Sequence, residues 1–191
     1  MLKTKMNAHA GESGAGPNPM HIDLLNQDMA IASVEEAVRM TPAELSHWNI
    51  LSIRGRLNEG PLSFPGARNV KKLHFDDVEA DYPEDELFAA QPKDIQAALA
   101  FARAAGDEAL LIHCYAGISR SPAIAWLIIY DKLKGRPDAV RQAFEIVRKL
   151  RPILQPNRHV LRLGMKLLVP RETRQRVMKQ VKVCLSEIAL K

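Results

Sequence analysis

The chain has 191 residues, of which 47% are hydrophobic, and its formal net charge is +5. This length can cover one hydrophobic core well, but it is too short for two full domains without a clear linker, so we expect a single domain with tails. Two cysteines, Cys114 and Cys184, exclude a disulfide framework and a four-cysteine zinc site. In a cytosolic chain both would stay reduced.

The two ends of the chain differ from its body. Residues 1–20 are rich in Gly, Pro and small polar residues and lack the apolar stretch of a secretory signal or a membrane span. We therefore expect a flexible leader over 1–20 and a cytoplasmic protein. Nine Lys and Arg but only two Glu lie between Arg158 and Lys191, which places the basic character at the C-terminal end. A folded domain over 21–169 and a basic helix over 170–191 are the predicted boundaries.

The first predicted elements are a buried strand and two capped helix starts. The segment DMAIAS predicts a short buried strand, and Ser33 then caps a helix with Glu36 in capping-box spacing. Thr41 and Glu44 repeat the same spacing for a second helix.

The rest of the chain alternates strands and helices. Periodicity predicts three strands, at ILSIR, NVKKLHF and ALLIHC. It also predicts a helix over 92–105 that ends at Gly106 and a central apolar helix at SPAIAWLIIYDKLKG that ends at Gly135. A further helix has Val140, Phe144, Val147 and Leu150 on one face. This order predicts an α/β fold in which a partly parallel central sheet is flanked by helices.

The segment HCYAGISRS, residues 113–121, lies between a predicted buried strand and the central helix. Gly117 allows a tight turn that can point successive N–H groups at one spot, and the positive end of the next helix adds to their field. Phosphate is the anion that fits such a site. The same field favours the thiolate form of Cys114, which would then be a nucleophile beside a bound phosphoryl group.

Three neighbouring side chains suit the same chemistry. Arg120 has the planar fork that pairs bidentately with phosphate oxygens. Ser121 can donate its hydroxyl to the sulfur of Cys114 and make that sulfur a better leaving group. His113 can hold the loop and favour the thiolate through hydrogen bonds.

This segment resembles the signature loop of the cysteine-dependent protein phosphatases, specifically the small dual-specificity type. Six positions match in order: the histidine and cysteine, the glycine, and the final Ser-Arg-Ser. The resemblance implies a dual-specificity phosphatase-like fold and hydrolysis of phosphomonoesters through a phosphocysteine intermediate, with no metal or cofactor. It also implies a phosphate-binding loop formed by Tyr115, Ala116, Gly117, Ile118, Ser119 and Arg120.

The resemblance continues downstream in VRKLRPILQPNRHVLRL, which contains the family's Pro-Asn pair as Pro156 and Asn157. The family pattern goes on with glycine, an aromatic residue and glutamine, where this chain has His159, Val160 and Leu163. The glutamine that positions the hydrolytic water is therefore missing. From its residue type alone, Asn157 is favoured as the cap of a helix.

The family takes its general acid from an aspartate in a loop before the cysteine. The stretch LHFDDVEADYPEDE offers Asp76, Asp77, Asp81 and Asp85, any of which could instead belong to a solvated turn. Asp77 follows the end of a strand after HFD, where the family's acid usually lies, so it is the first choice. Asp81 is the second.

Substrate and partners are less closely defined by the sequence. Tyr115, Ala116 and Ile118 add no positive charge to the loop, which disfavours highly phosphorylated inositols. We therefore expect phosphotyrosine in a protein as the substrate, or phosphoserine or phosphothreonine if the pocket is shallow. Alternatives are a phosphoinositide phosphatase, a non-catalytic phosphate-binding module, and a sulfur-transfer or arsenate-reducing enzyme, which would lack the Ser-Arg-Ser ending.

No nucleic-acid or metal partner is expected. Apart from His113, the histidines show no metal-ligand spacing with each other or with the cysteines. The basic C-terminal helix could lie on a membrane surface. However, its apolar stripe, Val177, Val181, Cys184 and Ile188, is more typical of a helix that docks on its own domain.

Overall fold

The structure is a computed structural model that describes residues 17–55 and 62–189. Residues 1–16 of the predicted leader lie outside these described ranges. The last four leader positions belong to them, and the first strand already begins at Met20.

Within these ranges the chain forms a five-stranded sheet with the strand order β1-β2-β5-β3-β4. The strands are β1 (Met20–Ile22), β2 (Gln27–Ser33), β3 (Asn49–Arg54), β4 (Asn69–His74) and β5 (Leu110–Cys114). β1 pairs antiparallel with β2, and all other neighbours are parallel. β3 and β5 are buried along their whole length, as is usual for parallel strands that helices cover on both faces. The three-residue β1 was not predicted, because so short a segment has no readable period.

Helices cover both faces of the sheet. They are α1 (Val34–Val38), α2 (Pro42–Leu45), α3 (Pro92–Ala105), α4 (Arg120–Leu133), α5 (Ala139–Leu150), α6 (Arg158–Leu168) and α7 (Arg171–Ala189). Both predicted capping boxes are present, at Ser33 and at Thr41. Alternating residues of β2 belong to two cores: Ile31 to the core that includes residues of α3 to α7, and Ala32 to the core that includes residues of α1 and α2. The predicted α/β fold is confirmed.

The central helix α4 is buried on nearly all sides, as its sequence predicted. Trp126 of α4 meets Phe144 of α5 with ring centroids 5.2 Å apart. On another side α6 approaches so closely that a Cβ at Gly164 would lie 2.1 Å from a methyl carbon of Leu127. Glycine at this position therefore lets α6, and the residues at its start, sit directly against α4.

The basic helix α7 docks on the domain through its apolar stripe. Val177, Val181 and Cys184 are buried in the main core, and Arg141 of α5 forms an ion pair with Glu187. Burial raises the pKa of the Cys184 thiol, so this cysteine stays protonated and packs as a small apolar side chain. Within the described ranges, no helix has both the length and the apolar character needed to cross a membrane.

Candidate active site

The loop between β5 and α4 makes a sharp turn at Gly117. Its backbone angle φ is +71°, and a Cβ there would lie 2.7 Å from backbone atoms of both Ala32 and Ser33. A side chain at this position would therefore strain the backbone and collide with β2. The loop can pack this tightly against the end of β2 only because residue 117 is glycine.

Carbonyl groups of the loop accept hydrogen bonds from the surrounding chain. Four of them accept hydrogen bonds from surrounding donors: Tyr115 from Val34 N at 3.0 Å, Ala116 from Arg151 Nη2 at 3.2 Å, Ile118 from Gln155 N at 2.8 Å and Ser119 from Asn157 N at 3.2 Å. In a trans peptide the N–H points opposite to the C=O, and the described residues contain no cis peptide bond. The N–H groups after those carbonyls therefore point away from these donors, an arrangement that can bind an anion.

Cys114 ends β5 directly before this loop. Its sulfur accepts a hydrogen bond of 3.1 Å from the hydroxyl of Ser121, which lies in the first turn of α4, and both side chains are buried. A donor to sulfur stabilises a thiolate, whether it attacks or departs. His113, one residue before, is fully buried and contacts the ring of Phe64 edge-on at 5.2 Å. His113 belongs to β5 and directly precedes Cys114.

Arg120 is the first residue of α4 and is also buried. One of its terminal nitrogens, Nη1, donates to the carbonyl of Phe75 at 3.0 Å. Phe75 directly follows β4, so this bond fixes the guanidinium group across the top of the sheet. The group lines the same cavity as Cys114, where its fork can meet phosphate oxygens.

The four candidate acids are separated by their contacts. Asp77 lines the cavity, and its Oδ1 accepts hydrogen bonds from Ser119 Oγ at 2.7 Å and Asn157 Nδ2 at 2.8 Å. Asp76 is buried and accepts from the backbone N–H of Phe88, while Asp81 accepts from that of Ala89. Neither of these two lines the cavity, and Asp85 belongs to a 3₁₀ turn further along the loop.

Asn157 has two roles, of which the sequence predicted one. Its Oδ1 accepts from Val160 N at 3.0 Å and so caps α6, as expected from the residue type. Its Nδ2 donates to Asp77, and its own backbone N–H donates to Ser119. The Pro-Asn pair was the available signal for a site role, because it belongs to the same family pattern as the loop.

Arg151 and Glu36 brace the loop from the outside. Glu36 was predicted only as part of the capping box at Ser33, and Arg151 was not predicted to have a role. Arg151 Nη1 lies 2.8 Å and 3.0 Å from the two carboxylate oxygens of Glu36, which also completes the capping box of α1. Burial opposes ionisation of Glu36, but the hydrogen bonds from Ser33 and Arg151 outweigh it and lower its pKa. Glu36 therefore remains charged and holds Arg151 on the Ala116 carbonyl.

These residues surround a cavity of about 810 Å³. Its wall contains Asp77, Glu79, Cys114, Tyr115, Ala116, Ile118, Ser119, Arg120, Gln155, Pro156, Asn157 and Arg158. The wall brings the predicted nucleophile, arginine and first-choice acid together, and it adds Glu79 and Arg158, which the sequence did not single out. In residues 17–55 and 62–189, no cluster of three or more His, Cys, Asp and Glu is placed to hold a metal ion.

The sequence matches no protein-family model, and no curated protein matches it significantly. Solved structures do match. A mouse protein described as a dual specificity phosphatase, in complex with zinc tungstate, has a TM-score of 0.59 and 18% identity over 87% of this chain and 95% of its own. Human DUSP28 has a TM-score of 0.54 and 19% identity, over 80% of this chain and 94% of its own. A human tyrosine phosphatase-like serine/threonine/tyrosine-interacting protein has a TM-score of 0.51 and 19% identity, over 71% of this chain and 84% of its own.

These similarities show the fold. The chain has the fold of the dual-specificity phosphatases, which the resemblance of residues 113–121 predicted. The cavity lies where the carboxyl ends of the parallel strands β3, β4 and β5 meet, which is the usual position of the binding site in such sheets.

Proposed function

We propose that the protein is a phosphomonoester hydrolase that acts through a phosphocysteine intermediate on Cys114, with phosphotyrosine in proteins as its substrate. The observation that carries this proposal is the shared cavity of Cys114, Arg120 and Asp77. The Asp77 carboxylate is joined to the phosphate loop by the 2.7 Å hydrogen bond from Ser119. A nucleophile, an anion clamp and a proton donor thus face one small volume.

In the first step the Cys114 thiolate attacks phosphorus. The S–P bond forms while the bond between phosphorus and the ester oxygen breaks, and Asp77 gives its proton to the departing oxygen. The N–H groups of the loop and Arg120 stabilise the charge on the three non-bridging oxygens. Protonation matters because a tyrosyl or alkyl oxygen is a poor leaving group as an anion.

In the second step water attacks the phosphocysteine. The Asp77 carboxylate accepts a proton from that water, the S–P bond breaks, and inorganic phosphate leaves. The Ser121 hydroxyl, 3.1 Å from the sulfur, stabilises the thiolate as it departs. Asp77 thus serves as acid and then as base, which requires the carboxyl group to stay at one position through both steps.

The wall of the cavity supports an aromatic monoester as the substrate. Tyr115, Ala116 and Ile118 line it without adding charge, and Arg158 is the cation that joins Arg120 there. A site for highly phosphorylated inositols would need more positive charge than these two residues supply. The ring of a phosphotyrosine would instead contact the apolar wall.

The proposal is tested by phosphate release and by trapping of the intermediate. The purified protein, with EDTA present, is assayed on a phosphotyrosine peptide, the matched phosphoserine peptide and phosphoinositide vesicles. A ³²P-labelled substrate and a rapid acid quench then capture the phosphoenzyme. We expect label on Cys114 that disappears in Cys114→Ser and persists in Cys184→Ser, the matched control.

Two outcomes would refute this function. Binding of phosphate without turnover of any substrate would make the protein a non-catalytic phosphate-binding module. A Cys114→Ser variant that keeps more than about a tenth of the wild-type rate would exclude the thiolate mechanism, since a serine hydroxyl is not ionised in such a loop. A preference for phosphoinositide vesicles would change the substrate class and leave the mechanism intact.

A further inference from the structure

A second concave surface lies beside the candidate active site, between α6 and α7. We call it the α6–α7 groove; its volume is about 760 Å³. Its floor is apolar and consists of Leu161 and, from α7, Met178, Val181 and Leu185. Glu79 and Arg158 line both the groove and the active-site cavity, so that the two are continuous.

Basic side chains line the walls of the groove along its length. Arg158, Arg162 and Lys166 occur at intervals of four residues on α6, and Arg174 and Lys182 lie eight residues apart on α7. Four residues are about one helical turn, so each set forms a row on one side of its helix. At about 1.5 Å per residue, each row extends for about 12 Å.

Some of these cations have partners in the domain and others face solvent. Arg174 donates to the carbonyls of Lys166 and Val169, both at 3.0 Å, and so fixes the end of α6. Arg162 contacts His159 Nδ1 at 2.8 Å. The side chains of Arg158, Lys166 and Lys182 are exposed, and the described part of the chain places no carboxylate within ion-pair distance of them.

We propose that the α6–α7 groove binds the segment of a protein substrate that flanks the phosphorylated residue, and that this segment carries acidic side chains together with apolar ones. The inference rests on the proposed function, which places the phosphorylated residue in the adjoining cavity. Acidic side chains of an extended segment would meet the two basic rows, and apolar side chains would contact Met178 and Leu185 on the floor. The groove thus determines which phosphoproteins are preferred.

The distribution of charge favours a peptide over a phospholipid. A phospholipid carries its negative charge at one end, and its acyl chains would have to pass between two rows of cations. An extended peptide rises about 3.3 Å per residue, so that about four residues span a row of 12 Å. Acidic side chains at several of these positions would meet the two basic rows, whereas the one carboxylate among the lining residues, Glu79, lies where the groove joins the active-site cavity.

The test compares two phosphotyrosine peptides in one enzyme. Their flanking residues are identical except that Glu and Asp in the first are Gln and Asn in the second, and kcat/KM is measured for both. We expect the wild type to prefer the acidic peptide and to lose that preference at high salt. In the double variant Lys166→Gln/Lys182→Gln the ratio of the two values should fall by about two- to fivefold for each charge removed.

The matched control is Lys71→Gln/Lys72→Gln, which removes the same charge from exposed positions on β4. This control should keep the wild-type ratio. Using a ratio within each variant cancels any change in the chemical step. Hydrolysis of p-nitrophenyl phosphate, which is too small to reach the groove, separates the two proposals: if it fails in the wild type, the proposed function is wrong.

Three results would overturn the groove proposal while p-nitrophenyl phosphate is still hydrolysed. The wild type could treat both peptides alike, or the groove variant could keep the wild-type ratio. Alternatively, the wild type could act better on a monophosphorylated phosphoinositide in phosphatidylserine vesicles than on the acidic peptide, with the groove variant losing that advantage. That last result would assign the groove to lipid.

Discussion

Asn157 holds Asp77 and caps α6 with opposite ends of one amide group. Its Nδ2 donates to Asp77 Oδ1 at 2.8 Å, while its Oδ1 accepts from Val160 N at 3.0 Å. Asn157 directly precedes α6, and that helix packs closely on α4 at Gly164. The position of the proposed acid therefore depends on the residue that caps α6, the helix whose Arg158 also lines the cavity.

Two substitutions at Asn157 should separate its two roles. In Asn157→Ser the hydroxyl can still cap α6, but the donor to Asp77 is lost; in Asn157→Ala both are lost. We expect both variants to lose on the order of 10- to 10²-fold in kcat, because the carboxyl group is no longer held in place. Only Asn157→Ala should also lose about 1 kcal/mol of unfolding free energy. A serine variant with normal kcat would show that the bond to Asp77 has no role in turnover.

Substitution of the acid should depend on the leaving group. Asp77→Asn should slow hydrolysis of phosphotyrosine by about 10²- to 10⁴-fold, since the departing oxygen is no longer protonated. For a fluorinated coumarin phosphate, whose leaving group is stable as an anion, the loss should be small. Rates are measured for a series of aryl phosphates of increasing leaving-group acidity.

Asp76→Asn and Asp81→Asn are the controls, because these carboxylates share the loop but lie away from the cavity wall. Each accepts a backbone N–H within the loop, so their substitution should lower stability without changing the leaving-group dependence. If Asp81→Asn shows that dependence and Asp77→Asn does not, Asp81 is the acid.

Arg120→Lys keeps the charge but removes the planar fork. Arginine can bond the Phe75 carbonyl with one nitrogen and still direct others at a phosphate, whereas lysine has one nitrogen for both. We expect kcat to fall by about 10²- to 10³-fold. A parallel thermal melt should show that the variant is folded, and a near-normal rate would make Arg120 a structural residue only.

The stability of the domain should depend on pH through Asp131. Burial opposes ionisation of this carboxyl group, but hydrogen bonds from Arg103 and Lys134 outweigh it and lower its pKa in the folded protein. Because the pKa of Asp131 is lower in the folded than in the unfolded protein, the carboxylate stabilises the fold when the pH is above the unfolded-state pKa of about 3.9. That stabilisation is lost as the pH falls through the folded-state pKa. Asp131→Asn should therefore cost about 1–3 kcal/mol near pH 7 and progressively less below pH 4.

Urea denaturation of the wild type and the variant between pH 3 and pH 7 measures this difference. Asp107→Asn is the control, since Asp107 is exposed and lies 3.8 Å from Lys132. It should change the stability little at any pH. Parallel curves for the wild type and Asp131→Asn across the range would contradict the proposed linkage.

The sequence predicted the elements whose signals are local. Capping boxes at Ser33 and Thr41 and the apolar run of β5 depend on residues a few positions apart, so the helix starts and the buried strand were readable. The turn at Gly117 was readable for the same reason. The resemblance of residues 113–121 then supplied the fold family, which periodicity alone does not distinguish.

The contacts that complete the site join distant parts of the chain, so local sequence patterns could not predict them. Asp77 and Asn157 are 80 positions apart, and Arg151 and Glu36 are 115 apart. Nothing in the neighbourhood of Arg151 distinguishes it from the other basic residues of the chain, because its partners are brought to it by the packing of α5 against the sheet. The α6–α7 groove likewise exists only once two helices lie side by side.

The backbone bonds of the loop over 115–119 have a consequence for the evolution of the protein. In the proposed function the anion is held by peptide groups, which every amino acid supplies, while the side chains of Tyr115, Ala116 and Ile118 form part of the cavity wall. Mutation at these three positions can therefore alter the choice of substrate without removing those peptide groups. Gly117 has no such freedom, because any larger residue would collide with β2. If the proposed function holds, substitutions at adjacent positions of this short loop can either change the substrate or abolish catalysis.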